Sequence, residues 1–158
     1  MVDSSFFLTV AGIAMSFAGF AGLMNALRRG GDAWAPMDLY QLRIIVAYAI
    51  ATLFGSLSTI PFVGLFGPRA GLQWLGLMML VVSVAIGIGN MLSDIRGAHG
   101  IALRTRVRVV FATITILGAV AFLGTAATGI LELYQLALIL MLAMPAGTFV
   151  YVVVRINR

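Results

Sequence analysis

Few side chains in this sequence could do chemistry, and most of them fall in one stretch. Residues 93–108 carry the only histidine, His99, with Asp94 and Arg96 before it and Arg104, Arg106 and Arg108 after it. An imidazole near a carboxylate can serve as a general acid or base, provided that a reacting group is positioned beside it. The nearest candidates for a nucleophile are the hydroxyls of Gly55-Ser56-Leu57-Ser58, but they lie in an apolar run with no histidine or lysine to activate them. A metal centre needs several His, Cys, Asp or Glu ligands, and here one histidine and five scattered acids stand without any cysteine. Haem ligation by His99 and a methionine would require two chains. The expectation is a protein with no catalytic residue, no metal and no cofactor, in which Asp94, Arg96 and His99 form a small polar site at one mouth of the fold.

The elements that must position these groups are set by composition. Of 158 residues 62% are hydrophobic and 9% charged, against roughly half and a quarter in soluble domains. The chain is expected to be an all-α integral membrane protein, one domain over 1–158, since the polar remainder is too small for a second. The net charge of +5 comes from ten arginines and no lysine. It collects in short segments between apolar runs, the distribution that orients helices in a bilayer, so no nucleic-acid partner is expected. Without cysteine, disulfides and thiol chemistry are excluded. The abundance of arginine, alanine and glycine points to a bacterial source and an inner-membrane location.

Five apolar runs are long enough to span a bilayer, at about 20 residues each: 6–27, 44–66, 72–92, 109–131 and 133–154, none containing Asp, Glu, Lys, Arg or His. The first resembles a secretory signal only superficially, because Arg28 and Arg29 follow the apolar run instead of preceding it. It is expected to be a retained span. With the N-terminus outside and the C-terminus inside, nine arginines face inward and Arg69 alone faces outward, which fixes the orientation by the positive-inside rule. Asp38 is expected to cap the second helix, with Trp34 and Tyr40 as interface anchors. The outer end of the second helix, 61–71, should kink at Pro61 before a tight turn, and Thr128-Gly129 should bend the chain ahead of Glu132.

Small and hydroxyl residues mark the faces on which membrane helices meet. Four such stripes are present: Thr9, Gly12, Ser16 and Gly19, flanked by Ala18, Gly22 and Asn25; Tyr48, Thr52, Ser56 and Thr59; Gln73, Gly76, Ser83, Gly87 and Asn90; and Gly118, Ala121, Thr125 and Thr128. The plain expectation is intramolecular packing. The sharper one is that Tyr48, Thr52, Ser56, Thr59, Gln73, Ser83 and Asn90 line a pathway, making the protein a non-enzymatic, oligomeric channel or facilitator for ions or small solutes, with Glu132 supplying charge at the outer mouth. The alternative is an accessory subunit packed on a larger membrane partner, or a protein that binds anionic lipid through Arg104, Arg106 and Arg108. Without a charge inside the spans, proton-coupled transport is not expected. Pro61 and Pro145 stand about 26 Å and 18 Å along their helices from opposite faces, at 1.5 Å per residue, so they do not share a midplane site.

Overall fold

The computed structural model describes residues 4–27, 36–95 and 105–156, with side chains at 4–24, 26, 39–93 and 109–151. These residues form five helices: α1 (Ser4–Leu27), α2 (Pro36–Phe66), α3 (Pro68–Ile95), α4 (Thr105–Thr128) and α5 (Leu131–Ile156). All five are long and apolar enough to cross a membrane. Uninterrupted apolar runs leave the backbone no other way to satisfy its own polar groups within one segment.

The ends differ from the expected ones, for local reasons. α2 starts at Pro36, eight residues ahead of its apolar run. Proline suits the first helical position, where its missing N–H is not needed. Asp38 therefore stands inside the first turn and is not the cap, though it is still near the positive end of the helix dipole. At the other end α2 runs helically through Pro61 to Phe66. Gly67 then takes φ 82° and Pro68 opens α3. The amide of Gly67 donates to the Val63 carbonyl at 3.0 Å, closing the last turn of α2. α4 stops at Thr128, short of the expected 131, because Gly129 takes φ 71° and donates to the Thr125 carbonyl at 2.7 Å. A left-handed glycine of this kind terminates a helix without Cβ strain. Glu132 falls in the first turn of α5 and is exposed.

Helices α2, α3, α4 and α5 form a closed ring in which each touches the next and α5 returns to α2. α3 and α5 approach weakly across it, while α2 and α4 stand apart. α1 lies outside, against α2 and to a lesser extent α5. The two short glycine links put both α2–α3 and α4–α5 turns at one end, here the hairpin end. The opposite end is arginine-rich, since nine of the ten arginines are at or near it in sequence.

Close backbone approach holds the ring together. A Cβ on Gly76 of α3 would stand 2.8 Å from the Ala126 amide nitrogen of α4, and one on Gly71 would stand 2.7 Å from the Phe62 carbonyl of α2. Toward the hairpin end the interior is filled by Leu75, Phe122, Tyr134 and Leu138, all fully buried. The Tyr134 hydroxyl donates to the Gly55 carbonyl at 2.8 Å, tying α5 to α2. Phe7 of α1 packs on the Tyr134 ring at 6.2 Å. The outside is largely apolar among the described residues, with Met15, Phe54, Leu65 and Val81 among the many exposed large side chains. Soluble monomers rarely expose contiguous apolar surface on this scale. The exterior is compatible with a multi-pass membrane protein.

Candidate functional site

The wider diagonal of the ring, between α2 and α4, is left partly unfilled toward the arginine-rich end. A cavity of about 440 Å³ lies there, within the usual range of small-molecule sites, roughly 300–1,000 Å³. α2 contributes Tyr40, Gln41, Ile44 and Tyr48 to its wall, and α3 contributes Gly87, Asn90 and Met91. Phe111, Ala112, Thr115 and Ile116 come from α4, with Met144, Thr148 and Tyr151 from α5. The exposed wall residues are Met91, Ala112 and Ile116. All three lie on α3 and α4.

Helical periodicity explains how α2 supplies the polar part of this wall. Gln41, Tyr48, Thr52 and Thr59 recur at seven, four and seven residues, which keeps them on one face. That face is buried in the ring, with Thr52, Ser56 and Thr59 fully enclosed. Thr52 and Thr59 donate to the carbonyls of Tyr48 and Gly55 four residues back, at 2.8 and 3.0 Å. Tyr48 reaches across the open diagonal, its hydroxyl 3.5 Å from the Thr115 hydroxyl of α4. Asn90 stands beside the same phenol. Tyr40 donates to the Asn90 backbone carbonyl at 3.4 Å, linking α2 to α3 at the rim.

The hydroxyl groups of the wall are largely engaged. Thr115 and Thr148 donate to their own helices, to Phe111 and Met144 at 3.0 and 2.9 Å. Gln41 is different. Its side chain is 3% exposed and neither Nε2 nor Oε1 has a hydrogen-bond partner. A buried polar group left in this state costs about 1–3 kcal/mol. The Ser56 hydroxyl is likewise buried without a partner, but it is not part of the cavity wall.

The structure separates the residues that the sequence groups together. Of the seven pathway candidates, Tyr48 and Asn90 line the cavity. Thr52, Ser56, Thr59 and Ser83 are buried in packed interior. Gln73 lies near the hairpin end, where its Nε2 donates to the Ala127 carbonyl at 3.3 Å. The α3 stripe meets α4 at Gly76, beside Thr125 and Ala126, and at Gly87, where a Cβ would stand 3.3 Å from Thr115, whereas Gly118 of the α4 stripe faces Leu140 of α5 and Thr128 is exposed. The α1 stripe does not pack inside: Thr9, Gly12, Ser16 and Gly19 are exposed, and the space around both glycines is open. α1 instead buries Phe7, Val10, Ala11, Ala14 and Ala21.

Trp34, Arg96, His99 and Arg104 lie outside the described residues. Asp94 ends α3 and Arg106 and Arg108 open α4, with their side chains, like that of Asn25, outside the described set. At the hairpin end Glu132 is exposed and Arg69 folds over Gly129, whose Cβ position is 2.7 Å from the arginine Cγ. Sequence reasoning missed Gln41, Phe111, Met144 and Thr148. The signal for Gln41 was its spacing of seven from Tyr48. Comparison with family models, curated proteins and solved structures gives no match.

Proposed function

We propose that this is a multi-pass membrane protein, N-terminus outside, that lodges a small amphipathic molecule taken from the bilayer in the chamber between α2 and α4. It acts by binding and not by catalysis. The observation that carries this reading is a cavity wall that is mostly apolar, holds Gln41 and Tyr48, and includes the exposed Met91, Ala112 and Ile116 of α3 and α4, which we take as its opening. A polar solute would meet that opening at membrane depth; a membrane-dissolved one would meet it by lateral diffusion. The arginine count supports a position for the chamber in the inner half of the bilayer. Labelling in nanodiscs with a photoreactive alkane should mark peptides of α3 and α4 around Met91 and Ala112. Ala112→Trp, which fills the opening, should remove that labelling while leaving label on outer faces such as Leu65. Labelling that is uniform over the exterior and indifferent to Ala112→Trp sinks the proposal.

A second reading, an oligomeric channel or facilitator for ions or small solutes, is favoured by the outward stripe of α1. Open small-residue faces let helices of separate chains approach closely, and the side chains that fill the ring near Phe122 and Tyr134 direct any route to the interface between copies. Flux in proteoliposomes that disappears with Gly12→Leu supports this reading. A monomer without flux argues against it, and a different co-purifying membrane protein on that face indicates an accessory subunit. In either reading Arg104, Arg106 and Arg108 attract anionic lipid at the inner surface.

A further inference from the structure

We infer that the chamber selects an uncharged amphiphile whose polar group both donates and accepts a hydrogen bond, such as a long-chain primary amide or a monoacylglycerol, and that Gln41 is the residue that recognises it. The inference rests on the proposed binding role and names the ligand class of the same site. Gln41 is a wall residue of the cavity, 3% exposed, with its amide nitrogen and oxygen both unpartnered.

A primary amide carries two donors and an acceptor on one flat group. Its complement is a group offering the same pair in reverse, as an amide or a hydroxyl beside a carbonyl does. Both polar atoms of the Gln41 amide are shielded from the open part of the chamber, so a ligand engages them by turning the amide toward itself; the terminal torsion of glutamine is broad, and no hydrogen bond holds either end of this one. The other wall groups do not compete for that role. Thr115 and Thr148 have committed their protons to their own helices. Tyr48 and Asn90 are wall residues as well, with the phenol beside Thr115, and they suit a second polar atom of the ligand. A neutral amide cannot compensate a fixed ionic charge in surroundings this apolar, because burying an unpaired ion is far more costly than burying an amide. The rest of the wall, with Ile44, Phe111, Met144 and Ile116, suits a hydrocarbon or ring portion.

The test uses the full chain in nanodiscs and four photoreactive probes with one acyl chain length: an alkane, a primary amide, a monoacylglycerol and a permanently anionic sulfonate. The amide and monoacylglycerol are expected to label the chamber about tenfold more than the alkane, the gain of roughly two net hydrogen bonds. The sulfonate is expected to fall to the alkane level or below. Gln41→Leu should bring the amide probe down to the alkane level without lowering the unfolding midpoint, since it removes an unpartnered polar group. Equal labelling by alkane and amide overturns the inference while leaving the chamber as a binding site. So does sulfonate preference, or an amide preference that survives Gln41→Leu. Absence of chamber labelling by every probe overturns both. Should Gln41→Leu fail to fold, the head-group series and competition by unlabelled amide on the unsubstituted protein decide the matter alone.

Discussion

Tyr134 shows how hydrogen bonding and packing divide the work at a single residue. Its hydroxyl makes one interhelical bond, 2.8 Å to the Gly55 carbonyl, which also accepts from Thr59. The ring itself is enclosed by Phe7 and Phe122 at 6.2 and 5.9 Å. Interhelical hydrogen bonds in membranes contribute about 0.6 kcal/mol on average and about 1.7 at most, because the separated helices find other partners. Losing a buried aromatic side chain costs about 3–5 kcal/mol. Tyr134→Phe should therefore lower stability by about 1 kcal/mol, and Phe122→Ala by at least twice as much, as read from unfolding in mixed micelles. A larger loss for Tyr134→Phe would mean that the Gly55 contact, not the aromatic cluster, holds α5 on α2. Gln41 is the residue least legible in the sequence. It lies on the same face as Tyr48, Thr52 and Thr59, but Arg43 between them ends the apolar run, so hydropathy assigned it to a loop. Hydropathy reports where a helix can meet lipid, and a helix can continue well past that depth.

At the scale of the element, the presence of each helix was legible because 20 apolar residues have few alternatives. The ends were legible at Leu27 and at Phe66, where Gly67 with positive φ follows, but not at Gly129, which stops α4 at Thr128 and not at the expected 131. Which face turns inward was harder, since an apolar helix has little polarity contrast to betray it. The small-residue stripe is buried on α2 and mostly turned inward on α3 and α4, whereas on α1 alanines beside Phe7 and Val10 make the buried face and the glycine-serine stripe turns out. Small residues permit close approach without specifying the partner. This distinction predicts opposite outcomes for two equal substitutions. Gly76→Ala puts a methyl 2.8 Å from the Ala126 amide nitrogen, a backbone atom that cannot step aside, so it should part α3 from α4 and lower the unfolding midpoint. Gly12→Ala meets open space and replaces glycine with a better helix former, so the isolated chain should keep or gain stability. A Gly12→Ala chain that is destabilised only at high protein-to-lipid ratio would identify the stripe as a contact between copies.

At the scale of the molecule the described residues form a four-helix ring with a fifth helix on its flank, and under the proposed function its direction in the bilayer would decide which leaflet supplies the ligand. The connection order could be anticipated from two links too short for anything but neighbouring antiparallel helices. The open diagonal could not, because it depends on α3 and α5 approaching more closely than α2 and α4. The proposed N-out orientation is supported by nine arginines against one, and the margin itself makes a prediction. Replacing Arg104, Arg106 and Arg108 with glutamine still leaves six against one, so the topology should hold while binding to anionic vesicles weakens by about 1 kcal/mol for each arginine that contacts lipid. The chain contains no cysteine, so Ser4→Cys and Asn157→Cys each give a single reporter. An impermeant maleimide should label Ser4→Cys in intact cells and Asn157→Cys only after permeabilisation, with and without the three glutamines. The reverse pattern would place the chamber in the outer half, where a ligand would have to come from the other leaflet. Mixed labelling of one reporter would mean that chains insert both ways, and that a surplus of arginine at one end of this ring is not enough to choose between them.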